Sequence, residues 1–251
     1  VASMGRADKS PENKRYRLVL LAKNNEGYQN LMKLSSIGHL EGFYYKPRID
    51  DEVLAVHANG LIALSGDMWG EVQAKILNND YVGAKAAVLR YQGLFGKDAF
   101  YLELQHRPEV SNYHVIRENI LKLSEETGAP IVATNSCRYP TQDDAVAHDA
   151  FICIGSQKIV DQEDRIRYDG NFSFVSPEYM KEVFRDIPEA VENSLRIAEQ
   201  CNVELVFGES HLPHFPTPSG KEPDEVLRAL CEEGLEKKYP PEQMQVARGR
   251  L

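Results

Sequence analysis

Cysteine is scarce in this chain and carries no pattern. The four cysteines, at 137, 153, 201 and 231, form no CxxC pair and no regular spacing. Neither a thiolate zinc site nor a disulfide framework is expected, and the thiols are read as buried or idle. Histidine is equally unpatterned: positions 39, 57, 106, 114, 148, 211 and 214 give no HxH or HExxH motif. No stretch approaches the roughly 18 apolar residues of a membrane span, and residues 1–10 lack a signal-peptide core, so a cytoplasmic protein without membrane contact is expected. Positive charge is in short supply as well. The formal net charge of −9 argues against a broad non-specific nucleic-acid surface, because phosphate binding is supplied mainly by clustered Lys and Arg. A small local contact is still allowed. The single tryptophan, Trp69, is expected to pack rather than to stack on a base.

What is present is ordinary for a globular protein: 42% hydrophobic and 27% charged over 251 residues, enough for one large core or two modest ones. The chain begins on Val1 rather than Met and is expected to be a piece of something longer.

Strand and helix signals alternate along it. Residues 16–22 form a near-continuous apolar run, expected to be a strand buried on both faces. A helix follows with Tyr28, Leu31, Met32 and Ser35 on one stripe. Residues 60–66 give a second strand, and 72–94 read as helical apart from a break near Asn78, Asn79 and Asp80. Phe100, Leu102 and Leu104 alternate with polar partners in a third strand, and the helix marked by Tyr113, Ile116, Ile120 and Leu123 stops at Gly128. Residues 130–135 are the fourth strand. Thr141 with Asp144 makes a capping-box start for a helix to about Ile154, and Ser176 with Pro177 starts another. Pro188 to Cys201 is amphipathic, and Val203 to Phe207 reads as a closing strand. Repeated strand–helix units imply a parallel sheet or a barrel. Pro and Gly then crowd residues 211–220, which suggests an extended linker and a domain boundary. Beyond it, Asp224 to Tyr239 is a charged helix carrying Val226, Leu227, Leu230 and Leu235, without a core of its own.

The stretch from Ile131 to Tyr139, IVATNSCRY, is the most informative. Its apolar start and the helix after Pro140 put residues 135–138 at the carboxyl end of a strand, where α/β folds place ligands. Ser136 is a weak ligand and Arg138 a fixed cation that cannot bind a metal.

Several segments together resemble a known family: LVLLAKN at 18–24, GYQNL at 27–31, EGFYYKPRID at 41–50, GLIALSG at 60–66, VATN at 132–135, AHD at 147–149, DIPEA at 186–190 and AEQCNVE at 198–204. In order and spacing they are similar to the polymerase and histidinol phosphatase (PHP) domain of bacterial DNA polymerase III alpha subunits. That resemblance implies a partial, distorted parallel βα barrel over 15–208, preceded by a loop or linker at 1–14. It further implies a Pro-rich linker at 209–223 and, from 224 to 251, the first helix of a polymerase palm and thumb region. In the family the barrel mouth carries metal ligands, which in some members support a proofreading 3′ to 5′ exonuclease. Four ligand positions fall within this chain. The usual histidine is Arg17, the usual cysteine is Asp67, and the usual aspartate and histidine are Ser136 and Arg138. Of these, Asp67 alone could bind a metal, whereas a zinc or manganese centre needs three or more neutral or anionic donors.

The resemblance therefore implies a degenerate site: no catalytic or cofactor-binding residue, no metal in this segment, and magnesium only at a polymerase site outside it. The expected role is a structural and interaction domain of a replicative polymerase that contacts the rest of the polymerase core. It meets DNA through the parent protein and offers a docking face to a separate exonuclease subunit. The rival reading is an active metal-dependent phosphoesterase or proofreading exonuclease, which would need clustered His and Asp ligands. A sugar-type barrel enzyme would need paired carboxylates at strand ends, and of the candidates only Asp67 is so placed. Arg17 and Arg138 are weighed as a phosphate fork or, preferentially, as partners of Asp67 filling the vacated mouth. For His148 a structural hydrogen bond is expected rather than ligation. Asp143–Asp144 and Glu232–Glu233, adjacent on helices, are expected to be caps and solvated faces.

Overall fold

The computed structural model describes residues 1–250 apart from Asp169, His211, His214, Pro218 and Ser219. The chain divides into two compact units, Val1–Glu204 and Leu205–Leu251. The first is a mixed α/β unit built on a four-stranded sheet in the order β1 (Val19–Ala22), β2 (Leu61–Leu64), β3 (Phe100–Gln105), β4 (Ile131–Thr134). Strands β2, β3 and β4 run parallel, so their carboxyl ends meet on one side.

Between β1 and β2 lie α1 (Asn25–Leu40) and α2 (Asp51–His57); between β2 and β3 lie α3 (Glu71–Leu77) and α4 (Tyr81–Phe95); α5 (Tyr113–Thr127) joins β3 to β4. Local chemistry sets these ends. Asn24 accepts the Gly27 amide at 2.9 Å and Asp80 accepts that of Gly83 at 2.8 Å, each satisfying a first-turn donor. Gly128 closes α5 at φ 69°, a left-handed turn that glycine adopts without a side-chain clash. After β4 come α6 (Ala145–Ser156), α7 (Pro177–Val183) and α8 (Pro188–Gln200). The Thr141–Asp144 capping box and the Ser176 cap stand where their spacing placed them.

The sheet is covered on both faces. Phe100, Leu102, Leu104, Ile131 and Ala133 pack with Val88, Tyr91, Ile120, Leu123 and Phe184 from the helices. Ile62, Leu64, Tyr101 and Val132 point the other way, toward Ile197 of α8. Truncating a fully buried leucine such as Leu102 to alanine should cost about 2–5 kcal/mol. One buried carboxylate belongs to this core: Glu71 takes Arg90 and, at 2.9 Å, the Tyr91 hydroxyl. Burial, with the Glu71 charge beside it, pushes the Tyr91 phenol well above its ordinary range.

Three expectations need correction. Residues 16–22 are not a two-sided buried strand: β1 is four residues long, antiparallel to β2, and Val19 is exposed. It ends the sheet order, and among the described residues no further strand pairs with its outer side. Strand β3 is buried on both faces rather than half-exposed, and Glu103 lies inside, because helices pack on one side and α8 on the other. Residues 203–207 form no strand: Leu205, Val206 and Phe207 are exposed, and the Glu204 amide donates to the Asn25 side chain at 2.9 Å. Residues 1–14 form no helix or strand, as a loop would, and Ala2 bridges to Arg15 with Ala2 and Asn13 buried.

In the second unit α9 (Pro223–Lys238) and α10 (Pro241–Arg248) pack on each other. Of the apolar residues expected on α9, Leu235 is buried while Leu227 and Leu230 are exposed. His211, His214, Pro218 and Ser219 of the expected linker lie outside the described residues.

Candidate functional site

At the carboxyl ends of β2, β3 and β4 lies a cavity of about 640 Å³, and Arg17, Asp67, Ser136 and Arg138 all line it. Four positions spread over 122 residues thus meet at one mouth. Arg17 arrives just before β1, held by its amide donating to the Trp69 carbonyl at 2.9 Å. Asp67 sits in the turn after β2. That turn closes because the Gly70 amide donates to the Asp67 carbonyl at 2.7 Å and the Trp69 amide donates to Asp67 Oδ1 at 2.9 Å. Two glycines make the turn possible: Gly66 has φ 84°, and a Cβ on Gly70 would fall 2.1 Å from the Ser65 carbonyl oxygen. Ser136 and Arg138 follow β4, where the Arg138 amide donates to the Phe172 carbonyl at 2.8 Å.

The floor of the mouth is a buried polar layer. Gln73 Nε2 donates to Ser65 Oγ at 3.0 Å, to the Gly66 carbonyl at 2.6 Å and to the Glu103 carbonyl at 3.1 Å. Ser65 Oγ in turn accepts the Glu103 amide at 2.9 Å. Glu103 Oε1 accepts the Thr134 hydroxyl at 2.6 Å and Gln105 Nε2 at 3.1 Å. These bonds tie the ends of all three parallel strands together. Gln73 Oε1 and Glu103 Oε2 are buried without a protein donor, which gives the floor acceptor character.

The rim is different. Arg17 Nη1 donates to Asp67 Oδ2 at 3.2 Å, but the two side chains are 66% and 30% exposed. Arg138 does not join them as expected. Its guanidinium lies over Tyr168 at 4.4 Å and Phe172 at 5.5 Å, where a flat cation is attracted by the ring faces. Arg107 pairs with Glu109 and lies 4.0 Å from the Phe172 centroid. Tyr168 and Phe172 lie in segment 157–175, between α6 and α7, and, with Ile166 and Arg167, line the mouth. Asp149 on α6 anchors that segment, accepting Arg165 at 2.5 and 2.7 Å. The Arg165 hydrogen bonds hold the Asp149 carboxyl below the usual carboxylate range.

Two further expectations change here. Trp69 does not pack: it is 60% exposed, with Arg17 at 6.0 Å from its ring. His148 sits between the Tyr139 and Tyr168 rings, at 5.3 and 5.8 Å, rather than in a structural hydrogen bond. Asp144 serves as a cap, accepting the Thr141 amide at 3.0 Å, and Glu232 and Glu233 are solvated. The sequence reading missed Gln73, Glu103, Arg107, Tyr168 and Phe172. The carboxyl end of β3 could have flagged Arg107 by the rule that picked out Ser136. Nothing local marks Tyr168 or Phe172.

As a metal site the four positions do not fit. They offer one carboxylate already held by a guanidinium, one hydroxyl, and two cations that would repel an ion. Among the described residues no group of three or more His, Cys, Asp or Glu side chains is placed to hold a metal.

Residues 3–107, which include β1, β2, β3 and two of the positions at the mouth, Arg17 and Asp67, match the PHP domain. The similarity continues well past that match. Over 227 residues the chain is 41% identical to the DNA polymerase III subunit alpha of Borreliella burgdorferi, covering 89% of the chain and 20% of that protein. It is 37% identical over 243 residues to the one from Neisseria meningitidis, covering 94% and 21%, and 38% identical over 228 residues to the one from Treponema pallidum, covering 89% and 19%. The chain carries a PHP domain and is homologous over about nine-tenths of its length to bacterial DNA polymerase III alpha subunits. It spans about a fifth of the length of these relatives.

Proposed function

We propose that this chain is a section of a bacterial replicative DNA polymerase in which the PHP part has become a metal-less structural and interaction domain. DNA-directed DNA synthesis, with its magnesium, belongs to another part of the parent protein in the cytoplasm. The four strands are then part of a PHP barrel, and α9 and α10 the entry to the polymerase core. The rest of that core is the first partner, and a separate proofreading exonuclease subunit is a second. One observation carries the reading: the four ligand positions converge on a single mouth, yet they supply Arg17, Asp67, Ser136 and Arg138. Convergence without ligands is what remains when selection keeps a fold and releases its chemistry.

The test is made on the parent protein containing this chain. Primer extension should require added magnesium, and elemental analysis after dialysis should find no stoichiometric zinc or manganese. A tightly bound zinc or manganese ion, with a chelator-sensitive 3′ to 5′ exonuclease that Asp67→Asn abolishes, would overturn it.

A further inference from the structure

A second cavity, of about 620 Å³, lies on the other side of Trp69. Its walls carry Lys14, Arg15 and Arg48 together with Tyr44, Tyr45 and Trp69, and no carboxylate. None of the three cations forms an ion pair with a described residue. Arg48 is only 5% exposed. It donates to the Asp8 carbonyl at 2.7 Å and to the Gly42 carbonyl at 3.2 Å, and its Nη2 is buried without a hydrogen-bond partner. Asp8 is the carboxylate that feels the Arg48 charge, without a direct ion pair, so the unmet Nη2 donor leaves the guanidinium able to attract a further anion.

The local charge balance points the same way. Residues 1–48 hold nine Lys and Arg against four Asp and Glu, whereas residues 49–251 hold twenty against thirty-four. This basic section supplies the cations and the tyrosines of the cavity wall, and residues 68–78 supply Trp69. Aromatic rings are presented beside the charge. The Tyr44 amide donates to the Lys46 carbonyl at 3.2 Å, closing a tight turn with Tyr45 at its apex. Tyr45 has φ 58°, unusual for a bulky residue, and is 82% exposed. Its ring lies 4.7 Å from that of Tyr44, whose face is in turn 5.3 Å from the Arg48 guanidinium. An exposed, strained tyrosine beside an exposed tryptophan and unpaired cations makes a stacking surface next to an anion site.

We infer that this cavity binds a nucleotide unit: Lys14 and Arg15 take the phosphate in the field of Arg48, and the base stacks on Tyr45 and Trp69. That combination of a positive groove with aromatic platforms is how single-stranded nucleic acid is held without base-edge readout. The inference goes beyond the proposed function, which rests on the mouth across Trp69, and its failure would leave the metal and primer-extension results untouched.

Trp69 is the only tryptophan of the chain and lines this cavity as well as the mouth, so its emission reports binding at either, and the Tyr45, Lys14 and Arg15 variants, at residues that line this cavity and not the mouth, assign the signal. In the full 251-residue chain at low salt, a short oligothymidylate should quench that emission saturably, and inorganic phosphate and a polyglutamate peptide should not. Tighter binding of the oligonucleotide than of thymidine monophosphate assigns the site to a strand, and equal binding assigns it to a free nucleotide. Tyr45→Asn keeps a residue at ease with positive φ, and should weaken binding about tenfold through loss of one stacked base. Lys14→Gln with Arg15→Gln should weaken binding and lower the slope of log affinity against log salt by about two. Both variants spare Arg48, which holds the loop, and circular dichroism checks that each is folded. Absence of saturable quenching, equal affinity in both variants, or equal competition by phosphate or polyglutamate overturns the inference.

Discussion

The floor and the rim of the mouth are a few ångströms of sequence-coded chemistry apart, yet they obey different rules. Below, Ser65, Gln73 and Glu103 are buried and bonded to one another, to the Gly66 and Glu103 backbone and to the Thr134 hydroxyl of β4. Above, Arg17, Asp67 and Arg138 reach into solvent and pair with whatever is opposite: a carboxylate for one guanidinium, two aromatic faces for another. Change at the floor leaves buried donors and acceptors unmet, and change at the rim leaves groups that water can satisfy. A mouth built this way can change its rim side chains while keeping its fold. Arg17 and Arg138 both stand in the layer where exchange is cheap.

The sharpest way to break this contrast is at the floor. Gln73→Ala removes the two N–H donors that three acceptors share and strands the Gly66 and Glu103 carbonyls. Urea melts should show a loss of about 2–4 kcal/mol, from unmet buried polar groups plus the space left behind. A loss under about 1 kcal/mol would show that the floor is not what fastens the strands.

A smaller, local effect is expected where segment 157–175 is tied down. Arg165 holds the Asp149 carboxyl below its ordinary value of 3.8. The folded state therefore binds this proton less readily than the unfolded chain. The stability the pair contributes is full above that value and is lost as pH falls through the lower, folded one. Arg165→Gln should accelerate amide exchange across 157–175 at neutral pH, while the unaltered protein should do so only on acidification below pH 3.8. Unchanged exchange in the variant would remove Arg165 from the role of anchor.

The least effect belongs to the rim pair. Asp67→Ala should cost under about 1 kcal/mol, and a double-mutant cycle with Arg17→Ala should return a coupling no larger than that, shrinking with salt. The two partners are too exposed for more. A coupling of about 2 kcal/mol or above would place Asp67 with the floor instead.

Most of what could be read before the structure was local. The capping box at Thr141, the serine cap and first-turn proline at 176 and 177, the break at 78–80 and the stop at Gly128 each depend on a few neighbouring residues, and each formed as the sequence indicated. The apolar runs at 61–64 and 131–134 named two strands for the same reason, and multi-segment similarity placed four distant positions at one mouth. Tertiary contacts decided the rest. The direction of β1 depends on how its apolar residues meet β2, and period and hydrophobicity are the same for either direction. Whether Glu103 lies inside depends on α8 covering the far face of the sheet. Whether Arg138 meets Asp67 or a pair of rings depends on segment 157–175, whose fold rests on the Asp149–Arg165 pair across the helix before it. Backbone propensity and side-chain spacing act over a turn or two of chain, so the sequence by itself determined the pieces and their ends. Burial and charge pairing act between surfaces that meet only after folding, so the structure alone decided which side chains face each other at the mouth.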